Sequence, residues 1–233
     1  GEKLSPILTI YKAKNFVDVL ELIGYDVVNI GSNDFKLGAS YLREITSNSS
    51  INFISANLVD RKTNQLLFEP YHTLEEDGVK IAFIGLSEAT RFESIVNKNF
   101  IFEGNKYIDL LESKVDLIVL LVDLSSSNAI DLSSAFDRAD YIFLSGVTKR
   151  TEPRSKQAQQ GPLVYSTGIQ GKHLSIVDIR IKDISKEIED VSAPFSRLQE
   201  IDYRLKRMQA KDPSKKIEEI YANDPNVLTL VTK

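Results

Sequence analysis

Gly24-Tyr25-Asp26-Val27-Val28-Asn29-Ile30-Gly31-Ser32-Asn33-Asp34-Phe35-Lys36-Leu37-Gly38 is the stretch on which the fold turns. Residues 26–30 are short and β-branched, as strands are. Residues 31–34 form a polar turn, and residues 35–45 then read as a helix. A helix also comes before: residues 11–23 put Phe16, Val19, Leu20 and Ile23 on one face, and Gly24 stops it. Helix, strand, polar turn and helix in succession predict an α/β chain.

The same alternation continues outward. Residues 52–56, 65–68 and 71–74 read as short strands. An Asp77-Gly78 turn leads into an apolar strand over 79–86. Residues 107–111 read as helix. The most apolar run, 115–122, has the composition of a central strand buried on both faces. Helix over 128–136 and strands over 141–144, 163–166 and 174–181 complete the domain, with no internal repeat. Beyond Pro194 the composition changes. Ser196 and Gln199 have capping-box spacing, and Leu198, Ile201, Leu205 and Met208 form a narrow apolar seam. Asp212-Pro213 and Asp224-Pro225 read as helix starts. The expected division is therefore a domain over 1–193 and a helical tail or linker over 194–233. The tail either lies along its own domain, the plainer expectation, or docks on another chain as a protein partner or homo-oligomer contact.

Composition narrows the chemistry. The chain has 233 residues, 42% of them hydrophobic and 27% charged, which is ordinary globular composition. The net charge of −4 argues against a nucleic-acid partner. With no cysteine there is no disulfide, thiolate site, cysteine nucleophile or covalent haem attachment in this chain. The two histidines, His72 and His173, strain any histidine-rich site. No apolar run reaches the roughly 18 residues of a membrane helix. The first residue is Gly1, so any signal peptide is expected to be absent from this sequence.

Five stretches resemble the calcineurin-like metallophosphoesterase domain of the 5'-nucleotidase family. Residues 24–38 are similar to its strand followed by Gly-Asn-His-Glu-Phe-Asp-x-Gly. Residues 53–58, 68–71 and 78–86 match its "a-N-l … f-x-P-y … G-v-k-I-a-f-i-G-l" run. Residues 115–124 match "v-D-l-i-i-l-l-s-H-l", residues 140–149 match "D-l-i-l-g-G-H-s-H", and residues 168–178 match the closing "a-G-x-x-G-k-y-l-G-x-l-d". The resemblance covers about residues 1–190. It implies a four-layer αββα sandwich of two mixed sheets, followed here by the helical tail.

The resemblance also implies two metal ions held by Asp, Asn and His at strand ends, which would clamp a phosphate. This sequence departs there. Ser32 and Asn33 occupy the Asn and His positions of the first motif, and Asp123 a His position. Val147 and Lys149 replace the two His of the last motif. The opening Asp-x-His strand is absent, with Glu2 the nearest stand-in. Valine has no lone pair for a cation, and lysine adds a charge of the wrong sign. Asp34 and Asp123, with Asn33 and Glu2, have the oxygen-only chemistry of one Mg²⁺ or Ca²⁺ site rather than Zn²⁺. The plainer and preferred reading makes Asp34 a helix cap and Asp123 a loop cap. Ser125, Ser126 and Ser127 read as an anion loop or, more plainly, a polar one. The basic loop of Lys149, Arg150, Arg154 and Lys156 reads the same two ways.

Together these readings predict a catalytically degenerate domain acting as a structural or interaction module, with no cofactor. The alternative is a metal-dependent phosphoesterase with a remodelled site. By family analogy the location is periplasmic or extracellular, and the setting an envelope assembly in which a multihaem cytochrome is a candidate partner.

Overall fold

The most apolar run becomes the middle strand of the main sheet. The computed structural model describes residues 6–89, 92–124, 131–152, 155, 157–158, 160–181, 188–225 and 227. Along the chain run α1 (Pro6–Ile23), β1 (Val27–Asn29), a 3₁₀ turn (Asp34–Leu37), α2 (Ala39–Ser47), β2 (Asn52–Ile54) and β3 (Leu58–Asp60). Then come β4 (Tyr71–Glu76), β5 (Val79–Ser87), β6 (Ile95–Asn97), α3 (Phe100–Leu111), β7 (Leu117–Asp123) and α4 (Leu132–Ala135). β8 (Tyr141–Ser145), β9 (Leu163–Ser166), α5 (Ser192–Gln209) and α6 (Ile217–Ile220) follow. The chain divides into two units: Gly1–Thr151 with Gln157–Ile188, and Glu152–Lys156 with Glu189–Lys233.

The first unit is built on a five-stranded sheet ordered β4-β5-β7-β8-β9. β4 and β5 are antiparallel and the other pairs parallel, so the sheet is mixed. Two aspartates start parallel strands in the same way. Asp116 Oδ2 accepts the Lys80 N–H at 2.8 Å, and Asp140 Oδ2 accepts the Ile118 N–H at 2.7 Å. Each carboxylate takes a strand-end donor that the ladder leaves over.

Side chains alternate between the two faces of this sheet. Ala82, Ile84, Leu86, Leu120, Val122 and Ile142 share one core with Tyr107, Ile108 and Leu111 of α3 and with Phe136. On the opposite face lie Val119, Tyr141 and Leu163, with Phe83, Leu121, Phe143 and Tyr165 beside them. The parallel pair β1–β2 comes down on that face at Gly85. A Cβ there would stand 2.5 Å from Asn29 Oδ1 and 2.8 Å from the Ile54 carbonyl oxygen, so the close approach needs glycine. Beyond β1–β2, Leu42 of α2 joins Ile30, Phe35 and Leu58 in a third cluster. Helix, sheet, smaller sheet, helix is the expected α/β layering.

Several local expectations need correction. In α1, Val17 and Leu20 are the buried residues, while Phe16, Val19 and Ile23 are exposed. The helix is apolar on more than one side, so periodicity alone does not choose the buried one. The helix expected over 35–45 is broken at Gly38, whose φ of 89° lies in the left-handed region. Residues 65–68 make only an isolated bridge, Val59 to Leu66. Residues 174–181 form no strand, and Leu174 and Ile176 are exposed. The helix expected from 128 is seen as α4, with residues 125–130 outside the described ones.

In the second unit α5 begins at Ser192, with no side-chain cap, so Ser196 is inside the helix rather than at its start. Pro194 falls in its first turn, where a missing N–H costs nothing. Asp212 Oδ1 accepts from Ser214 N and Oγ in a turn, and α6 starts only at Ile217. Asp224 Oδ1 accepts the Val227 N–H, as a cap should.

Candidate functional site

Strand ends converge at one rim of the first unit. In the ladders, Ser87 of β5 registers with Asp123 of β7, and Asp123 with Ser145 of β8. The turn after β1 joins them. Asp123 is buried, and both its oxygens are engaged: Oδ2 accepts the Ser32 N–H at 2.7 Å and Oδ1 the Ser145 hydroxyl at 3.0 Å. Asp34 Oδ2 accepts the Gly31 N–H at 2.7 Å. The two carboxylates therefore take two successive backbone donors of one turn. Gly31 makes this possible, since a Cβ there would lie 2.8 Å from Asp123 Oδ2. Gly146, with φ 80°, plays the same part across the rim: a Cβ would meet the Leu124 carbonyl oxygen at 1.9 Å.

Asp34 does not cap the following helix as expected. Asp34 is the first residue of the 3₁₀ turn and bonds backward to Gly31, while Asn33 stands at the cap position without a side-chain bond. Asp123 ties β7 to a turn 91 residues earlier, and the loop it was expected to cap runs through residues 125–130, outside the described ones. Burial chiefly, and then the charge of Asp123, push the Asp34 carboxyl above the ordinary aspartate range; the Gly31 N–H and Lys36 oppose them. Part of Asp34 remains open to solvent, so the crowding acts on one side of the carboxyl.

A second set of residues holds the rim in place, and their roles were not read from the sequence. Asn57, fully buried, has Nδ2 within 3.0 Å of Ser87 O, Lys98 O and Asn97 Oδ1, and its Oδ1 accepts the Ser87 N–H. Ser87 Oγ in turn donates to Ile30 O at 3.1 Å. Asn57 thus ties the end of β5 to the end of β6, and Ser87 ties β5 to Ile30 just after β1. Asn29 Nδ2 donates to Leu86 O at 2.9 Å, while Asn29 Oδ1 and Ser55 Oγ are buried with no partner among the described residues. Asparagine at strand ends was the signal available, and its partners are fixed only by register.

The remaining candidates scatter. Val147 packs against the main core, and Lys149 is exposed. His72 lies in β4, and His173 Nδ1 is 3.0 Å from Arg150 Nη1. Glu2, Ser125, Ser126, Ser127, Arg154 and Lys156 lie outside the described residues. Beside the rim a groove of about 290 Å³ is lined by Tyr25, Asn29, Phe143, Ser145, Tyr165 and Thr167, among others. Among the described residues its lining contains no lysine or arginine to meet a phosphate.

The donor set of the described residues does not fit a two-metal centre. Among the described residues no three His, Asp or Glu side chains come together as ligands. The two carboxylates that do meet spend oxygens on Gly31, Ser32 and Ser145. Two divalent ions need a denser negative cage than this.

A mixed sheet with a second sheet stacked on it and a rim of strand-end loops is the calcineurin-like metallophosphoesterase fold. The calcineurin-like phosphoesterase YfkN of Bacillus subtilis superposes with a TM-score of 0.55 over 65% of this chain and 57% of that one, at 16% identity. In sequence, stretches of the chain are similar to 5'-nucleotidases. The 5'-nucleotidase of Vibrio parahaemolyticus is 31% identical over 110 residues, which is 47% of this chain and 19% of that protein. The 2',3'-cyclic-nucleotide 2'-phosphodiesterase/3'-nucleotidase of Salmonella typhimurium is 24% identical over the whole of this chain and 41% of its own length. The chain therefore spans less than half the length of either curated relative. No family model matches it.

Proposed function

We propose that this metallophosphoesterase-like domain has lost hydrolysis and serves as a structural or interaction module. The donor set at the rim supports this reading most. Asp34 and Asp123 act as acceptors for backbone and serine donors, and valine and lysine stand where the family motif has histidines. Without a metal-activated water or a histidine acid, nothing at the rim lowers the barrier to phosphate-ester hydrolysis, which is very slow uncatalysed. The family resemblance supports an exported location, periplasmic or extracellular, and a place in a larger envelope assembly. Among the described residues no helix is long and apolar enough to cross a membrane.

The test is elemental analysis of protein purified without chelator, with assays on nucleoside monophosphates and aryl phosphates in Mg²⁺, Mn²⁺ or Zn²⁺. No turnover above background and no stoichiometric pair of transition-metal ions are expected. Turnover that vanishes in Asp34→Ala or Asp123→Ala would establish a remodelled phosphoesterase instead. One observation favours that second reading: Asp34 and Asp123 accept successive N–H donors of the same turn, which places two carboxylates where a single Mg²⁺ or Ca²⁺ could draw on both.

A further inference from the structure

α5 buries none of its residues, yet it carries an ordered apolar row. Leu198, Ile201, Leu205 and Met208 are spaced 3-4-3, which fixes them as alternating a and d positions of a heptad. Leu198 is 64% and Ile201 47% exposed, and Phe195 beside them is 53% exposed. Leu205 and Met208 are half-buried at the end where α6 meets α5. The open part of the row is therefore its first half. In proteins most helix stability comes from packing an apolar face rather than from propensity, so an exposed apolar row asks for a partner surface.

The flanking charges choose among partners. With Leu198 at a, the g positions within α5 are Arg197 and Arg204, and the e positions Phe195, Asp202 and Gln209. Two antiparallel copies would set the basic g row against itself, which repels. Two parallel copies place Arg197 of one opposite Asp202 of the other, twice by symmetry, and Arg204 opposite Gln209. A partner helix with acids on both flanks would satisfy the arginines and repel Asp202. Of the two ways in which copies of α5 can pair, the parallel one alone has no like-charge contact across the seam. Asp202 is already oriented by Lys206, 2.6 Å away one turn on, and stays accessible for a second cation.

We infer that α5 is a parallel self-association seam, in which Leu198, Ile201 and Leu205 of one copy pack against the same residues of a second copy. Leucine at a with isoleucine at d also suits more than two strands, so the number of copies is read from mass. The inference stands on α5 alone and is independent of whether the rim binds metal or hydrolyses phosphate.

The absence of cysteine from the chain makes the test direct. Leu198→Cys introduces a single thiol at an a position. In a parallel pair the two Cα atoms fall within the roughly 4.4–6.8 Å that a disulfide spans. Tyr203→Cys, at the outward f position, is the control. Mild oxidation should convert Leu198→Cys to a reducible covalent dimer and leave Tyr203→Cys monomeric. Sedimentation equilibrium of the unmodified full chain should show a mass rising with concentration to at least twice 26.2 kDa. Ile201→Asp should return it to the monomer mass with its far-ultraviolet spectrum kept. A monomer at every concentration overturns the inference. So does equal cross-linking of both thiols, or a mass increase in which Leu198→Cys fails to cross-link.

Discussion

The Ser32 backbone N–H points at Asp123 Oδ2, 2.7 Å away across 91 residues of sequence, and the Ser145 hydroxyl takes the other oxygen of the same carboxylate. One side chain thereby joins the turn after β1 to the ends of β7 and β8. Asp123→Ala leaves both donors without an acceptor. The expected loss is about 1–3 kcal/mol, read from the urea midpoint. Asp123→Asn keeps an acceptor and should lose less. An alanine variant as stable as the parent would mean that water replaces the carboxylate at no cost.

Gly146 predicts a sharper response. Its φ of 80° disfavours any side chain, and a Cβ would be driven into the Leu124 carbonyl oxygen. Gly146→Ala should cost more than about 2 kcal/mol, or prevent folding, because backbone cannot swing aside as a long side chain can. Thermal unfolding measures it, with Gly24→Ala as a useful contrast. Gly24 has a similar φ of 88° but nothing within 4 Å of the added carbon, so strain acts there without the clash.

Ser55→Ala runs the other way. Ser55 is fully buried and its hydroxyl has no partner among the described residues, so folding strips it of water without return. Removing it should leave stability unchanged or raise it by up to about 1 kcal/mol. A clear loss in chemical denaturation would show that the hydroxyl has an acceptor in solution.

Asp140 sets a pH signature. Burial holds its carboxyl above the ordinary range, against the pull of the Ile118 N–H. A raised carboxyl pKa means that the folded chain holds the proton more tightly than the unfolded chain. Its contribution is complete below about pH 4 and is lost as pH rises through the folded value. Asp140→Asn keeps an acceptor for Ile118 but does not titrate. The variant should therefore gain on the parent as pH rises from about 4 and level off once Asp140 is ionised. Parallel stability curves for the two proteins would exclude this.

The sequence makes the parallel core legible because its strands are bounded by chemistry as well as by apolar content. Asp116 and Asp140 open β7 and β8, Asp77-Gly78 turns β4 into β5, and β9 runs from Leu163 to Ser166 as read. β3 and β6 are missed, since three residues each carry no period. The closing run from Leu174 has strand composition but no ladder, because pairing depends on an available edge and not on composition. At the rim, Asp34 and Asp123 are legible as strand-end carboxylates. Their engagement with Gly31, Ser32 and Ser145 is not, because hydrogen-bond partners follow from register across distant segments.

β9 is the last strand of the main sheet, and its outer side is closed by side chains. Gln157 donates to Val164 O and accepts from Val164 N, both at 3.0 Å, just as a neighbouring peptide group would. Two residues on, Thr151 Oγ1 accepts from Ser166 N, and Thr151 N donates to Ser166 O. An incoming strand would have to displace all four bonds before making any of its own. Neighbouring copies, or modules strung along one longer polypeptide, can then crowd together without their sheets fusing at this border. A side-chain amide here supplies what a tenth strand would have supplied, with far fewer residues and no template left for aggregation.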